Sequence, residues 1–196
     1  MTTNYRLFIA VELPEPVIEA LINVQDHLQA ARPVRWAKPE QMHLTLQFLG
    51  DTPPARVDSL VAALAERVPA NPPFSLKVGG LGVFPNLKRP RVIWIGLEDQ
   101  TKALQKLHAA VVEATQTVGF PPEDRPFTGH LTLGRTNKRA TSRDYAQISR
   151  AVQEGQDKIG FLATLPVDHV SLIRSQLKPT GSVYTTLARI DLNREA

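Results

Sequence analysis

Apolar and polar positions along this chain switch between a period of two and a period near 3.6, and the switches divide it into strands and helices. The run YRLFIAVEL is apolar, with β-branched and aromatic members, and stops at Leu13-Pro14, so it reads as a buried strand. From Pro16 to Ala31 the residues Val17, Leu21, Val24 and Leu28 recur at helical spacing, with His27 beside the stripe at the surface. MHLTLQFLG alternates with period two. Gly50 breaks that pattern, and Thr52 as N-cap with Pro53 at the first helical position opens a helix through Val57, Leu60, Val61, Leu64 and Val68. FSLKVGGLGVF then returns to strand.

The second half repeats this order. RVIWIGL is a strand, Leu104, Leu107, Val111, Thr115 and Val118 mark a helix, GHLTLGRT is a strand, Tyr145, Ile148 and Val152 mark a helix, and VDHVSLIRSQL is a strand. Arg6 lies 37 residues before His43 and Arg91 lies 39 before His130, so spacing agrees as well as type. The pattern is a duplicated strand-helix-strand-helix-strand unit. A last hairpin turns at Lys178-Pro179-Thr180-Gly181 into SVYTTLARIDL. No low-complexity linker separates the halves. The expectation is an α+β fold in which residues 1–196 form one domain of two pseudo-symmetric lobes. Each lobe, of about a hundred residues, would carry a small, mainly antiparallel sheet with two helices, and the cleft would lie between them. A doubly wound parallel sheet is the competing topology, and the glycine-rich phosphate loop such folds usually carry is missing.

The duplication carries candidate chemistry. His43-Leu44-Thr45-Leu46 recurs as His130-Leu131-Thr132-Leu133, 87 residues later. On a strand, His and Thr share one face and the leucines take the other. One His-x-Thr is usually structural, whereas two copies at matching places argue for a joint site. Histidine titrates near neutrality, so two of them across a cleft suit a reaction in which one takes a proton from water and the other gives one to a leaving alkoxide. Hydrolysis of a cyclic phosphodiester is such a reaction. Thr45 and Thr132 are placed to donate hydrogen bonds to the non-bridging oxygens, where negative charge grows. A zinc site would need three ligands, and the partner two residues on is threonine, so no catalytic metal is expected. A serine triad has no G-x-S-x-G elbow to support it.

Composition narrows the picture modestly. The absence of cysteine excludes disulfides, thiolate nucleophiles and cysteine-ligated metals. A net charge of +4 fits a phosphate-bearing partner without demanding one. The N-terminal stretch has no basic segment leading into a long apolar one, and no run is long enough to span a bilayer, which points to a cytoplasmic protein without membrane attachment.

His43-Leu-Thr45-Leu with the following Gln-Phe48-Leu-Gly, and Pro126-Phe127-Thr-Gly-His130-Leu-Thr132-Leu-Gly-Arg135, resemble the two signatures of the bacterial and archaeal RNA 2′,3′-cyclic phosphodiesterases. These were first named 2′-5′ RNA ligases and belong to the two-histidine (2H) phosphoesterase superfamily. The likeness runs from Arg6-Leu-Phe8-Ile-Ala-Val-Glu-Leu-Pro14, through Trp36 and Phe84-Pro85, to Ser175-Gln-Leu-Lys-Pro-Thr-Gly181-Ser-Val-Tyr184. It implies a bilobal α+β fold and metal-independent hydrolysis of RNA 2′,3′-cyclic phosphate ends to 2′-phosphomonoesters. It also implies reversible 2′-5′ ligation of tRNA halves and no nucleotide cofactor, and the chain is expected to act as a monomer. His43 would be the proton donor, His130 the acceptor, and Thr45 and Thr132 the phosphate ligands. Gly129 departs from the family, which often has proline there. A non-catalytic RNA-binding module on this scaffold is the other class of function, and two intact motifs argue against it.

Other positions are less determined. Phe48 and Arg135 each lie five residues past a histidine, and the resemblance suggests base stacking and phosphate contact. Strand alternation puts both on the opposite face unless the strand ends or bulges. Tyr184 and Lys178 could line the cleft rim or simply pack. His108 and His169 lack a threonine two residues on and read as structural. Lys88-Arg89-Pro90-Arg91 is a basic loop that could steer RNA or be a solvated turn.

Overall fold

A computed structural model describes residues 4–29, 31–179 and 181–193. In chain order these form β1 (Tyr5–Glu12), α1 (Glu15–His27), β2 (Val34–Trp36), β3 (His43–Thr52), α2 (Val57–Arg67), β4 (Phe74–Phe84) and β5 (Val92–Glu98). They continue with α3 (Ala103–Thr117), β6 (His130–Thr136), α4 (Ser142–Gln156), β7 (Phe161–Val167), β8 (His169–Lys178) and β9 (Gly181–Asp191).

Several boundaries differ from the sequence pattern. Helix α1 stops at His27, although Leu28 and Ala31 still pack into the core beyond it. Thr52 is not an N-cap. It ends β3 fully buried with its hydroxyl donating to the Gly50 carbonyl, and a 3₁₀ turn at Pro54–Arg56 delays α2 to Val57. Two strands escaped the pattern. Strand β2 is three residues long, and β7 contains Pro166, which a strand tolerates at the edge of a sheet, where β7 lies. The β8–β9 turn includes Thr180, which lies outside the described residues.

The strands form one antiparallel sheet in the order β7-β4-β5-β6-β3-β1-β8-β9, with β2 on the far end of β6. The order is palindromic about the seam between β6 and β3. Each repeat lends its closing strand to the other half, β4 pairing with β5 and β8 with β1. The halves meet at Leu44 opposite Leu131. Gly134 lets β2 lie down on β6, because a Cβ there would stand 2.7 Å from the Val34 Cγ1 and 2.8 Å from the Trp36 Cε3.

All four helices put their stripes into the same core cluster, with Leu21, Leu64, Leu107 and Ile148 wholly buried among Ile9, Leu44, Ile95 and Leu131 of the sheet. Each such leucine or isoleucine stabilises the fold by about 1.5–3 kcal/mol relative to exposure. Two buried glutamines fasten helices to the strands that carry the motifs. Gln25 of α1 donates to the carbonyls of Ala37 and Leu133, and Gln47 of β3 accepts from the Thr115 hydroxyl of α3 at 2.8 Å. Among the described residues the sheet's other face carries a small buried cluster, Phe8, Ala10 and Ile173 with Tyr184 against it. That face holds the site.

Candidate active site

The alternation of β3 and β6 puts Leu44, Leu46, Leu131 and Leu133 into the core, so His43, Thr45, His130 and Thr132 emerge on the helix-free face. With Leu44 opposite Leu131, antiparallel counting sets His43 abreast of Thr132 and His130 abreast of Thr45. The two imidazoles are near enough for the charge of His130 to act on His43.

Each ring is held in the same way. Nδ1 of His43 donates to the carbonyl of Gln41 at 2.8 Å, and Nδ1 of His130 donates to the carbonyl of Thr128 at 2.8 Å. A carbonyl only accepts, so Nδ1 carries the proton in both, and Nε2 is the nitrogen free for chemistry. Gln41 is itself fixed, its Nε2 donating to the Ser182 carbonyl of β9 at 2.8 Å.

Two bulges decide where Phe48 and Arg135 go. Along β1 the partners jump from Gln47 to Thr45 between Ile9 and Ala10, and along β5 they jump from Gly134 to Thr132 between Ile93 and Trp94. In each motif strand two consecutive residues, Leu46-Gln47 and Leu133-Gly134, are therefore buried together. The extra residue shifts the alternation by one and returns the following side chains to the histidine face. Phe48 is 54% exposed with its ring 6.2 Å from Phe8, which itself lies 4.8 Å from His43. Arg135 is exposed, and its charge reaches both His43 and Tyr184.

Aromatic rings wall both histidines. Tyr184 stands edge-on to His43 at 5.4 Å and to Phe8 at 5.1 Å, while Phe84 stands edge-on to His130 at 5.0 Å with Trp94 at 6.4 Å. Burial pushes the His43 imidazole down to about 4, against the raising effect of its Gln41 hydrogen bond. The charges of Arg135 and His130 lower it further, and Glu12 raises it. Burial likewise pushes the Tyr184 phenol up.

The family described as LigT like Phosphoesterase matches the chain twice, over residues 11–94 and 95–184, one copy for each His-x-Thr motif. The chain belongs to this family. An RNA 2′,3′-cyclic phosphodiesterase of Thermus thermophilus is 34% identical over 194 residues, covering 97% of this chain and 91% of that protein. The crystal structure of the Thermus thermophilus protein TT0787 has a TM-score of 0.79 at 30% identity, covering 97% of this chain and 100% of that one. The crystal structure of E. coli LigT complexed with 3′-AMP has a TM-score of 0.75 at 25% identity, covering 96% of this chain and 98% of that one.

In this LigT-like phosphoesterase the remaining histidines lie outside the motif pair, with His169 reaching the pair's neighbour Glu12. His27 is exposed and bonded to the Asn23 carbonyl, and His108 stacks on Phe127 at 4.0 Å, bracing the segment that leads into β6. His169 contacts Asp168 and lies 3.7 Å from Glu12. Among the described residues no group of three or more His, Asp or Glu side chains could hold a metal ion, and no helix is long and apolar enough to cross a membrane.

Three neighbours of the LigT-like site were not legible as functional. Phe8 looked like core because its strand is apolar on both faces. Glu12 pairs with His43 across β1 and β3, its carboxylate accepting from Ser171 at 2.6 Å and Thr186 at 3.1 Å. Trp94 lies flat over Gly82, where a Cβ would stand 2.2 Å from its ring. Strand parity, 8-10-12 on β1 and 94-96 on β5, was the available signal.

Proposed function

We propose that this chain hydrolyses RNA 2′,3′-cyclic phosphate ends to 2′-phosphomonoesters, with the two repeats acting as one catalytic unit over residues 1–196. The observation that carries the reading is the mirrored pair of imidazoles, each anchored through Nδ1 and presenting Nε2, within a family whose relatives include a protein named RNA 2′,3′-cyclic phosphodiesterase. His130 takes a proton from water as its oxygen bonds to phosphorus. The P–O3′ bond breaks, and His43 gives its Nε2 proton to O3′. Thr45 and Thr132 donate hydrogen bonds to the non-bridging oxygens. Arg135 holds phosphate, and Phe48 and Tyr184 pack against the terminal nucleoside.

A pKa near 4 leaves His43 unprotonated at neutral pH in the free enzyme, so the donor role needs the phosphate to arrive first. An anion beside the imidazole in a partly dry site raises its affinity for a proton. The same low pKa favours a second reading in which the roles are exchanged and His43 is the base. If a 5′-hydroxyl takes the place of water, the same steps join two RNA ends through a 2′-5′ linkage, as between tRNA halves. The enzyme acts as a cytoplasmic monomer, and it needs neither metal nor organic cofactor, the part of this reading that the histidine-threonine donor set supports.

The test is incubation of the pure protein with a short RNA ending in a 2′,3′-cyclic phosphate, in excess EDTA. Ring opening that persists with chelator and disappears in both His43→Ala and His130→Ala supports the reading. Hydrolysis that EDTA abolishes and a divalent ion restores contradicts it.

A further inference from the structure

Arg35 of β2 and Arg135 of β6 are direct partners across an antiparallel pair, so both guanidinium groups leave the same face. Both are exposed, and among the described residues neither has a salt bridge. Like charges placed opposite each other destabilise a sheet unless an anion sits between them. The pair also begins a larger feature. The loop after β4 carries Lys88, Arg89 and Arg91, the loop after β6 carries Lys138 and Arg139, and the first turn of α4 adds Arg143, all exposed and without salt bridges among the described residues.

The two loops are one surface. Thr136 donates its amide to the Arg91 carbonyl at 3.0 Å and its hydroxyl to the Pro90 carbonyl at 2.7 Å. Ser149 of α4 holds the Leu87 carbonyl, and Arg89 lies over the Tyr145 ring at 5.7 Å. Lys88, Arg89, Thr141 and Tyr145 line an open pocket of about 590 Å³ between them. Residues 86–91 and 134–143 contain no carboxylate, and the adjacent Asp144, which faces Arg143, is engaged in capping α4 with Thr141.

We propose that Arg35 and these two loops form a track for the phosphates of an RNA strand, leading away from Arg135 at the reacting end to the nucleotides upstream of it. The inference rests on the proposed RNA-end activity and adds to it a preference for a strand over a mononucleotide. Position argues for a nucleic acid, because the track starts inside the site. Arg135 acts on His43 and lies on β6 just past the bulge at Leu133-Gly134, at the end of the strand that pairs with β2. Tyr145, beneath Arg89, offers a ring against which a base can stack.

The experiment compares wild type with Lys88→Gln/Arg89→Gln/Arg139→Gln, and separately with Arg35→Gln. The probes are a 12-nucleotide RNA ending in 2′,3′-cyclic phosphate and 2′,3′-cyclic AMP, across a potassium chloride series. The triple variant should raise KM for the 12-mer at least tenfold and flatten its log–log salt slope by about 2, at about 0.7 for each lost phosphate contact on a single strand. Its kcat and KM on 2′,3′-cyclic AMP should stay within about twofold of wild type, by the same reasoning that distant phosphates are absent from that substrate. Arg35→Gln should weaken the 12-mer alone and melt no lower than wild type. An unchanged KM for the 12-mer, or an equal rise for both substrates, overturns the track. Fluorescence anisotropy with the same RNA bearing a 3′-phosphate reads binding without turnover. Salt-dependent binding lost in the triple variant while wild type hydrolyses neither probe would keep the track and refute the activity. Binding unaffected by the substitutions would refute the track itself.

Discussion

Leu44 and Leu131 stand directly opposite each other across the seam where the two half-sheets meet, one from each copy of the repeated motif. Both are buried in the shared core, so the residues flanking them are turned together onto the other face. Each histidine thereby lies abreast of the threonine of the other repeat. Either motif alone would make half a site. The exchange of β4 and β8 between the halves has the same effect, since neither repeat closes its own sheet.

Shortening Leu44 to alanine should cost about 2–5 kcal/mol, the usual range for a buried leucine. Because the seam also aligns the motifs, kcat on a cyclic phosphate end should fall even where the protein remains folded. Urea unfolding together with turnover at low denaturant checks both, and a stability loss with undiminished kcat would show that the seam does not position the histidines.

Burial of His43 predicts a pH dependence of stability. The unfolded chain titrates this imidazole near 6.5 and the folded protein near 4, so between those values the unfolded state binds more protons. Stability is complete above about 6.5 and is lost as pH falls toward 4. The contribution is about 2 kcal/mol once partial solvent access is allowed for. His43→Gln should therefore lose less stability than wild type between pH 7 and pH 4 in urea titrations. Equal losses would mean that His43 is not depressed. Nuclear magnetic resonance should place the His43 titration near 4 in the free protein and higher with 2′-AMP bound.

Much of this was legible from residue pattern. The four helices announced themselves through stripes such as Leu104, Leu107 and Val111, and the twin His-x-Thr strands through alternation. What alternation could not show was partner choice, so the crossing of β4 and β8 into opposite halves was hidden. Strand β2 is too short for periodicity to register, and Pro166 disguised β7. The bulges at Leu46-Gln47 and Leu133-Gly134 were visible only as a condition, since period-two counting put Phe48 and Arg135 on the wrong face unless an extra residue intervened. Phe8 and Arg35 needed a partner strand to acquire meaning.

Arg135→Gln should raise KM for a cyclic phosphate end by about 10–100-fold, the worth of one hydrogen bond to a charged group, with a smaller change in kcat. Phe48→Ala should raise KM by a few-fold to tenfold, in line with about 1 kcal/mol or more of base stacking. Steady-state kinetics distinguishes these from structural roles. Loss of stability with an unaltered KM in the refolded variants would return both residues to packing.

The two histidines can be separated with a substrate whose 3′-bridging oxygen is replaced by sulfur. Thiolate leaves without needing a proton, so the missing acid is forgiven and the missing base is not. His43→Ala should recover most of its turnover on that substrate while His130→Ala stays impaired by about 10²–10⁴-fold. The reverse pattern would exchange the roles in the way the depressed His43 pKa allows.

In the proposed reaction the paired His-x-Thr site opens a cyclic phosphate at the P–O3′ bond. Phosphorus-31 magnetic resonance of the product from an RNA ending in 2′,3′-cyclic phosphate tests it most directly. A single 2′-phosphomonoester is expected, absent when either His43 or His130 is alanine. A 3′-phosphomonoester, or the same product from both variants at the wild-type rate, would contradict it.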